Sequence, residues 1–208
     1  KHHYLKKDNF LVTAGSDAGV KNCFDVFVFP HSEVVVMDPT FAMVDIYCKL
    51  YNAKTKKIKF NNRLKIKLDN FRETLNNKTT LIIIANPNSP TGTILNLAQI
   101  KRIIYAAELK KIPVLIDEAY FGFSKITAIK MIQKYKNLIV SRTFSKAYGI
   151  AGLRMGYLVA HSRLINLLRK FKPMYETNSL GILLAKILIR NKNISKLYIS
   201  EAFKGKKF

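Results

Sequence analysis

Apolar residues along this chain follow two rhythms. Short unbroken runs of β-branched and aliphatic side chains alternate with longer segments in which apolar positions recur every three or four residues. A run of about four to eight apolar residues closed by Gly, Pro, Asn or Asp reads as a strand buried on both faces, and the 3.6-residue rhythm reads as a helix with one buried side. On that basis "FLVTAG" (10–15) is a short strand ending in a turn, with a helix from Asp17 to Phe29 after it. "SEVVVMD" (32–38) is a second strand, followed by a helix from Phe41 to Tyr51 and a weak strand at 56–60. "TTLIIIAN" (79–86) is the strongest strand, and the turn cluster "NPNSPTGT" closes it. A helix covers 96–110. "IPVLIDEAY" (112–120) and "NLIVSRTFS" (137–145) each run from strand into loop, "RMGYLVA" (154–160) is a further strand, and helices fill most of the rest.

Strands that are apolar throughout and separated by helices need cover on both faces, so the pattern predicts a three-layer α/β/α fold around a mostly parallel sheet. No internal repeat or linker divides the chain, and residues 1–208 read as one domain. Ligands of such sheets lie beyond the carboxyl ends of the strands. Those ends carry Gly15-Ser16-Asp17, the stretch from Asn86 to Gly92, Asp117 to Tyr120, and Ser141 to Lys146, with Arg154 close behind.

Composition narrows the function. With 208 residues and 49% hydrophobic content the chain can bury a substantial core, which excludes a disordered protein. No apolar run is long enough to span a bilayer, and "KHHYLKK" at the start has no signal-peptide pattern. The chain does not open on Met and reads as processed or as a fragment. Cys23 and Cys48 form no metal-type spacing with the histidines and read as core thiols of a reducing, cytoplasmic compartment; no metal site is expected. His2 and His3 read as part of a solvated tail. The net charge of +23 comes from 28 Lys and only 8 Arg, spread in pairs such as Lys56-Lys57 and Lys110-Lys111. Nucleic-acid sites concentrate Arg and exposed aromatics, so this charge reads as a solvated basic surface suited to small anions.

Each candidate residue has an ordinary reading by itself. Asp117-Glu118 could cap a helix or pair with lysine, Tyr120 could be a half-buried core phenol, Gly15-Ser16-Asp17 could be an N-cap, and Arg154 could form a surface ion pair. Lys146 is less ordinary, because it stands between hydroxyls in the apolar, Gly-punctuated stretch "SRTFSKAYGIAGLRMGY" (141–157), where its apolar neighbours give it the reading of a semi-buried lysine. Their joint placement at one sheet edge is the signal.

Taken in order, "VTAGSDAG", "DPTFAMVDIY", "NPNSPTGT", "VLIDEAYFGFS", "SRTFSKAYGIAGLRMGY" and "KPMYETNSLG" resemble the pyridoxal-phosphate-dependent aminotransferases of fold type I, class I/II, and in particular their histidinol-phosphate aminotransferase-like branch. The resemblance covers nearly the whole chain. It implies that Lys146 forms the Schiff base with the cofactor aldehyde and carries the proton, that Asp117 pairs with the pyridine nitrogen, and that Tyr120 hydrogen-bonds the ring hydroxyl. It implies that Phe41 stacks on the ring, and that Ser16, Asp17, Thr143, Ser145 and Arg154 hold the phosphate, Asp17 mainly through its N–H. The family has Asn directly before "PTG", where this chain has Ser89 preceded by Asn88, so either of the two is a candidate for the ring hydroxyl. Ala18 replaces a common acidic residue, and His31 stands where glycine is common. The family's N-terminal arm and C-terminal small domain are not recognisable, and residues from about 165 lead toward the latter. The implied activity is transfer of an amino group between an amino acid or amino-phosphate and a 2-oxo acid, by a homodimer when full length. Alternatives are decarboxylation or a lyase reaction on an amino-acid phosphate with the same cofactor, or a non-catalytic basic binding protein that keeps the fold.

Overall fold

The computed structural model describes residues 4–205; His2 and His3 lie outside them. Seven strands form one sheet: β1 (Phe10–Thr13), β2 (Glu33–Asp38), β3 (Lys54–Lys59), β4 (Thr79–Ala85), β5 (Val114–Asp117), β6 (Leu138–Thr143) and β7 (Gly156–Ala160), in the spatial order β1-β7-β6-β5-β4-β2-β3. The helices are α1 (Gly15–Phe27), α2 (Met43–Leu50), α3 (Asp69–Thr74), α4 (Leu97–Glu108), α5 (Ser162–Phe171), α6 (Ser179–Arg190) and α7 (Lys192–Gly205). Every strand of the apolar reading is present, with bounds that differ by up to two residues; the weak strand read at 56–60 begins two residues earlier, at Lys54. The exceptions are the strands read at 112–120 and 137–145, whose expected loops begin at Glu118 and Phe144.

Strand alternation builds the three layers. Val35, Met37, Ile82, Ile84, Val114, Ile116, Leu138 and Val140 point to one face and meet Phe71 of α3 and Ile100, Ile103 and Ala107 of α4. Val34, Val36, Leu81, Ile83, Leu115, Ile139 and Leu158 point to the other and meet Phe24 of α1, Val44 and Cys48 of α2 and Leu168 of α5. Each of these residues is fully or almost fully buried, and at about 1.5–3 kcal/mol per large apolar side chain the two layers dominate the folding free energy. Cys23 and Cys48 are free thiols inside the second layer, and burial pushes the Cys23 thiol well above its ordinary range.

Two features escape the periodicity. β7 runs antiparallel to both of its neighbours; only a loop and one short 3-10 turn separate it from β6, with no helix of the kind that usually carries a parallel crossover. α3 buries only Phe71 and is too short to show a period. β3 is the weak strand, "KTKKIK", because it is the sheet edge: its four lysines discourage pairing with another chain. His31, between α1 and β2, is exposed at φ 67°, the left-handed region in which a side chain is strained. His31→Gly is expected to raise the unfolding free energy by about 0.5–1 kcal/mol, measured by urea titration. Among the described residues no helix is long and apolar enough to cross a membrane.

Candidate active site

The carboxyl ends of β1, β2, β4, β5 and β6 open on one cavity of about 310 Å³. The antiparallel course of β7 brings its N-terminal end, with Arg154, to the same edge. Ten of the eleven residues expected from the sequence line this cavity.

At one end lies an anion cup. The chain leaves β1 through Gly15, whose φ of 89° suits glycine, and enters α1 at once. No side chain caps this helix, which leaves backbone N–H groups near Ser16 and Asp17 for a ligand. The Ala14 N–H just before them donates to Glu176 Oε1 at 3.0 Å. The Asp17 carboxylate is engaged from the side, where Tyr47 OH donates to its Oδ2 at 3.0 Å. Gly156 lies so close to the turn that an added Cβ would stand 2.4 Å from the Gly15 carbonyl carbon. A Cβ at Gly15 would stand 2.9 Å from Arg154 Nη2, so the guanidinium lies directly on the helix start. The two hydroxyls of "TFS" differ. Thr143 Oγ1 donates to the Met155 carbonyl at 3.2 Å and accepts from the Ser145 N–H at 3.1 Å, so its proton is committed. Ser145 Oγ is buried without a partner and is the free donor.

At the floor stands Asp117, the last residue of β5, between Ala85 of β4 and Ser141 of β6. Its Oδ1 is buried and lacks a hydrogen-bond partner among the described residues. Burial is the main cause that pushes this carboxyl up to about 7, against the pull of Ser141 and the Ala119 N–H. A buried carboxylate with an empty lone pair fits a cationic N–H donor inside the cavity, and it does not fit a second anion. Phe41, from the β2–α2 loop, and Ala119 supply apolar wall. Tyr120 and Lys146 face each other across the mouth, with Lys146 Nζ 5.3 Å from the Tyr120 ring centroid.

Two expectations are corrected. Asn88 does not line the cavity: its Nδ2 donates to the Pro39 carbonyl at 2.9 Å and to Thr91 Oγ1 at 2.8 Å, and its Oδ1 accepts from Thr40 Oγ1 at 2.9 Å. It ties its own turn to the loop that carries Phe41, and Ser89 is the residue that reaches the cavity. Lys146 is exposed rather than sheltered by its apolar neighbours, because Phe144 and Ala147 turn into the protein and leave it at the open mouth. Sequence reasoning missed Tyr47 and Glu176, which contact the cup from 30 and 162 residues away; no local pattern marks either. It also missed a buried Glu118–Arg142 pair, whose signal was a charge of each sign at adjoining ends of apolar strands.

An α/β domain whose sheet-edge cavity combines an anion cup, an apolar wall, a buried carboxylate and a lysine is the class that this fold and cavity define. The chain belongs to the aminotransferase class I and II family, whose model matches residues 1–203, and the family depends on pyridoxal phosphate. The chain is 32% identical over 190 residues to the histidinol-phosphate aminotransferase of Clostridium novyi (strain NT), covering 91% of this chain and 52% of that protein. It is 34% identical over 192 residues to that of Pyrococcus furiosus, covering 92% and 55%. The crystal structure of the histidinol-phosphate aminotransferase from Clostridium acetobutylicum superposes with a TM-score of 0.84, at 19% identity, over 93% of this chain and 58% of that one; it shares the fold. The chain thus spans about half the length of the curated relatives it matches.

The donor set bears on the cofactor. The cup suits its phosphate, Phe41 a ring face, and the orphaned Asp117 oxygen a ring N–H. A planar guanidinium clamps two phosphate oxygens where an ammonium meets one. Arg154→Lys is therefore expected to weaken pyridoxal phosphate binding about 10- to 100-fold, by loss of a charge-assisted hydrogen bond. Melting of the cofactor-free protein should stay unchanged because Arg154 is exposed. Absorbance titration and thermal melting check the two halves.

Proposed function

We propose that this chain is the cofactor-binding large domain of a cytoplasmic, homodimeric aminotransferase, with residues from about 165 onward leading toward a smaller second domain. The reaction is transfer of an amino group between an amino acid or amino-phosphate, of the histidinol-phosphate type, and a 2-oxo acid. One observation carries this reading: the Asp117 carboxylate with its unpartnered Oδ1, the anion cup and Lys146 share one cavity.

Bound pyridoxal phosphate supplies an electron sink for the pair of electrons left when a bond to the substrate α carbon breaks. The chain's own groups do the rest. Asp117 accepts the ring N–H and keeps it protonated. The carboxyl near 7 in the free protein is drawn down when that cation arrives, which ties cofactor binding to carboxylate ionisation. The α1 amides, Ser145 and Arg154 fix the phosphate end, and Thr143 orients Ser145 by accepting its N–H. Phe41 excludes water from one ring face. Tyr120 and Ser89 offer hydroxyls to the ring oxygen. Lys146 would hold the cofactor through Nζ; once the substrate amine takes its place there, the freed Nζ amine would take the proton from the substrate α carbon and deliver it to the cofactor.

The test uses the full-length protein loaded with pyridoxal phosphate and one equivalent of amino donor. Release of the matching 2-oxo acid, without carbon dioxide, supports transamination. Release of carbon dioxide or of inorganic phosphate assigns the site to a decarboxylase or lyase and overturns this reading.

A further inference from the structure

Glu118 follows Asp117 just past the end of β5 and Arg142 precedes Thr143 on β6, and both side chains turn away from the cavity side that takes Asp117 and meet each other. Both are almost fully buried. Arg142 donates from Nε and Nη2 to Glu118 Oε2 at 3.1 and 2.9 Å, and from Nη2 to Thr127 Oγ1 at 2.8 Å. Its guanidinium carbon sits 3.4 Å from the centroid of the Phe121 ring. Glu118 also accepts from Thr127 Oγ1 at 2.9 Å and from the Ala128 N–H at 2.6 Å. The loop from 118 to 128 is thereby stapled to β6 at its start, at Phe121 and at its end.

Tyr120 lies inside that staple. Its turn is closed by the Phe121 N–H donating to the Glu118 carbonyl at 2.9 Å, and Phe123 N–H donates to the Tyr120 carbonyl at 3.1 Å. Gly122, at φ 111°, lies so near the lysine loop that an added Cβ would stand 2.7 Å from the Ala147 methyl. The same strand that carries Arg142 leads, four residues on, to Lys146. A buried ion pair adds little net stability over an apolar replacement of the same shape, so its more distinctive contribution is geometry. The planar fork that grips Glu118 and Thr127 while stacking on Phe121 is one that lysine cannot reproduce.

We propose that Arg142, oriented by Glu118, is a positioning residue that sets the Tyr120 phenol relative to Lys146. This rests on the reading of Tyr120 and Lys146 as cofactor-contacting groups. The test is fluorine NMR of the cofactor-free protein labelled with 3-fluorotyrosine, with the Tyr120 resonance identified by its loss in Tyr120→Phe and a control resonance by its loss in Tyr47→Phe. Arg142→Lys keeps the charge and drops the fork; Phe121→Leu keeps the ion pair and drops the stack. Both are expected to move or broaden the Tyr120 line and leave the Tyr47 line in place. Capture of pyridoxal phosphate should slow by up to roughly 100-fold, as a misplacement of about 1 Å can produce. The visible maximum of the loaded protein should shift as in Tyr120→Phe, and Arg142→Lys should add nothing in that background. An unmoved Tyr120 line in both variants, or a Tyr47 line that moves as far, overturns the proposal. If Arg142→Lys fails to fold, Phe121→Leu decides alone. Failure of the wild-type chain to capture the cofactor on Lys146 sinks the reading of the site, while the fluorine comparison still decides whether Arg142 positions Tyr120.

Discussion

Lys146→Ala abolishes covalent capture of pyridoxal phosphate by this chain while leaving its fold intact: that is the first expected result. Of the 28 lysines, Lys146 is the one that lines the cavity among the described residues. It is exposed, as most of the others are, so neither burial nor charge sets it apart. Its distinction is address. It stands at the end of β6, on the cavity that also presents the Asp117 carboxylate, the α1 amides and Arg154. A surface lysine meets the cofactor aldehyde from bulk solution, whereas Lys146 meets it with the phosphate already anchored, an advantage that intramolecular placement can raise by several powers of ten. Removal of the side chain should therefore weaken retention by at least ~100-fold on that basis. Thermal melting of the cofactor-free protein should move by no more than about 2 °C, because only an exposed amine over the Tyr120 ring is lost. The visible band of the loaded protein, lost in the variant, is the readout.

Asp117→Asn is expected to make the cofactor-free protein more stable and the cofactor site nearly useless. The carboxyl sits near 7 in the folded chain against 3.8 for the ordinary group, mainly because burial penalises its charge. The folded state therefore holds a proton that the unfolded chain releases near pH 4. The stabilisation this group contributes is complete below about pH 4 and is lost as pH climbs toward 7. A displacement of about three pH units corresponds to ~4 kcal/mol as an upper bound. Asparagine fits the same space without the charge and removes that slope. Urea titrations should find Asp117→Asn ahead of wild type by about 2–4 kcal/mol at pH 8 and close to it at pH 4. Cofactor affinity should fall at least ~100-fold, since a neutral amide leaves a buried cationic N–H without its counter-charge. Stability at pH 8 is thus sacrificed to keep a carboxylate with an unpartnered oxygen where a cation will arrive. A wild-type protein equally stable at both pH values would contradict this.

Much of the architecture was legible because its strands are buried on both faces and so read as unbroken apolar runs. The alternation of Val34 and Val36 against Val35 and Met37 into opposite layers follows from that directly. The strand-end rule located the cavity, since Asp117 and Lys146 both sit where β5 and β6 give way to loops. The direction of β7 was not legible, because period 2 looks the same in either direction, yet that direction is what brings Arg154 to the cup. Hydrogen-bond commitments were equally hidden. Thr143 and Ser145 are the same chemistry in sequence, and Asn88 and Ser89 are neighbours in one turn, but Met155 takes the Thr143 proton and Pro39 takes the Asn88 amide. Such pairings join segments 12 and 49 residues apart and depend on the tertiary fold. The setting of Lys146 misled because its apolar neighbours shelter themselves and not the lysine.

The most direct test of the central claim is borohydride reduction of the purified chain with stoichiometric pyridoxal phosphate, followed by peptide mapping. The account predicts that the reduced cofactor is found on the peptide carrying Lys146, at close to one per chain, with little on the other lysines. A folded protein whose cofactor is scattered evenly over Lys56, Lys57, Lys110 and the rest of the basic surface would contradict it.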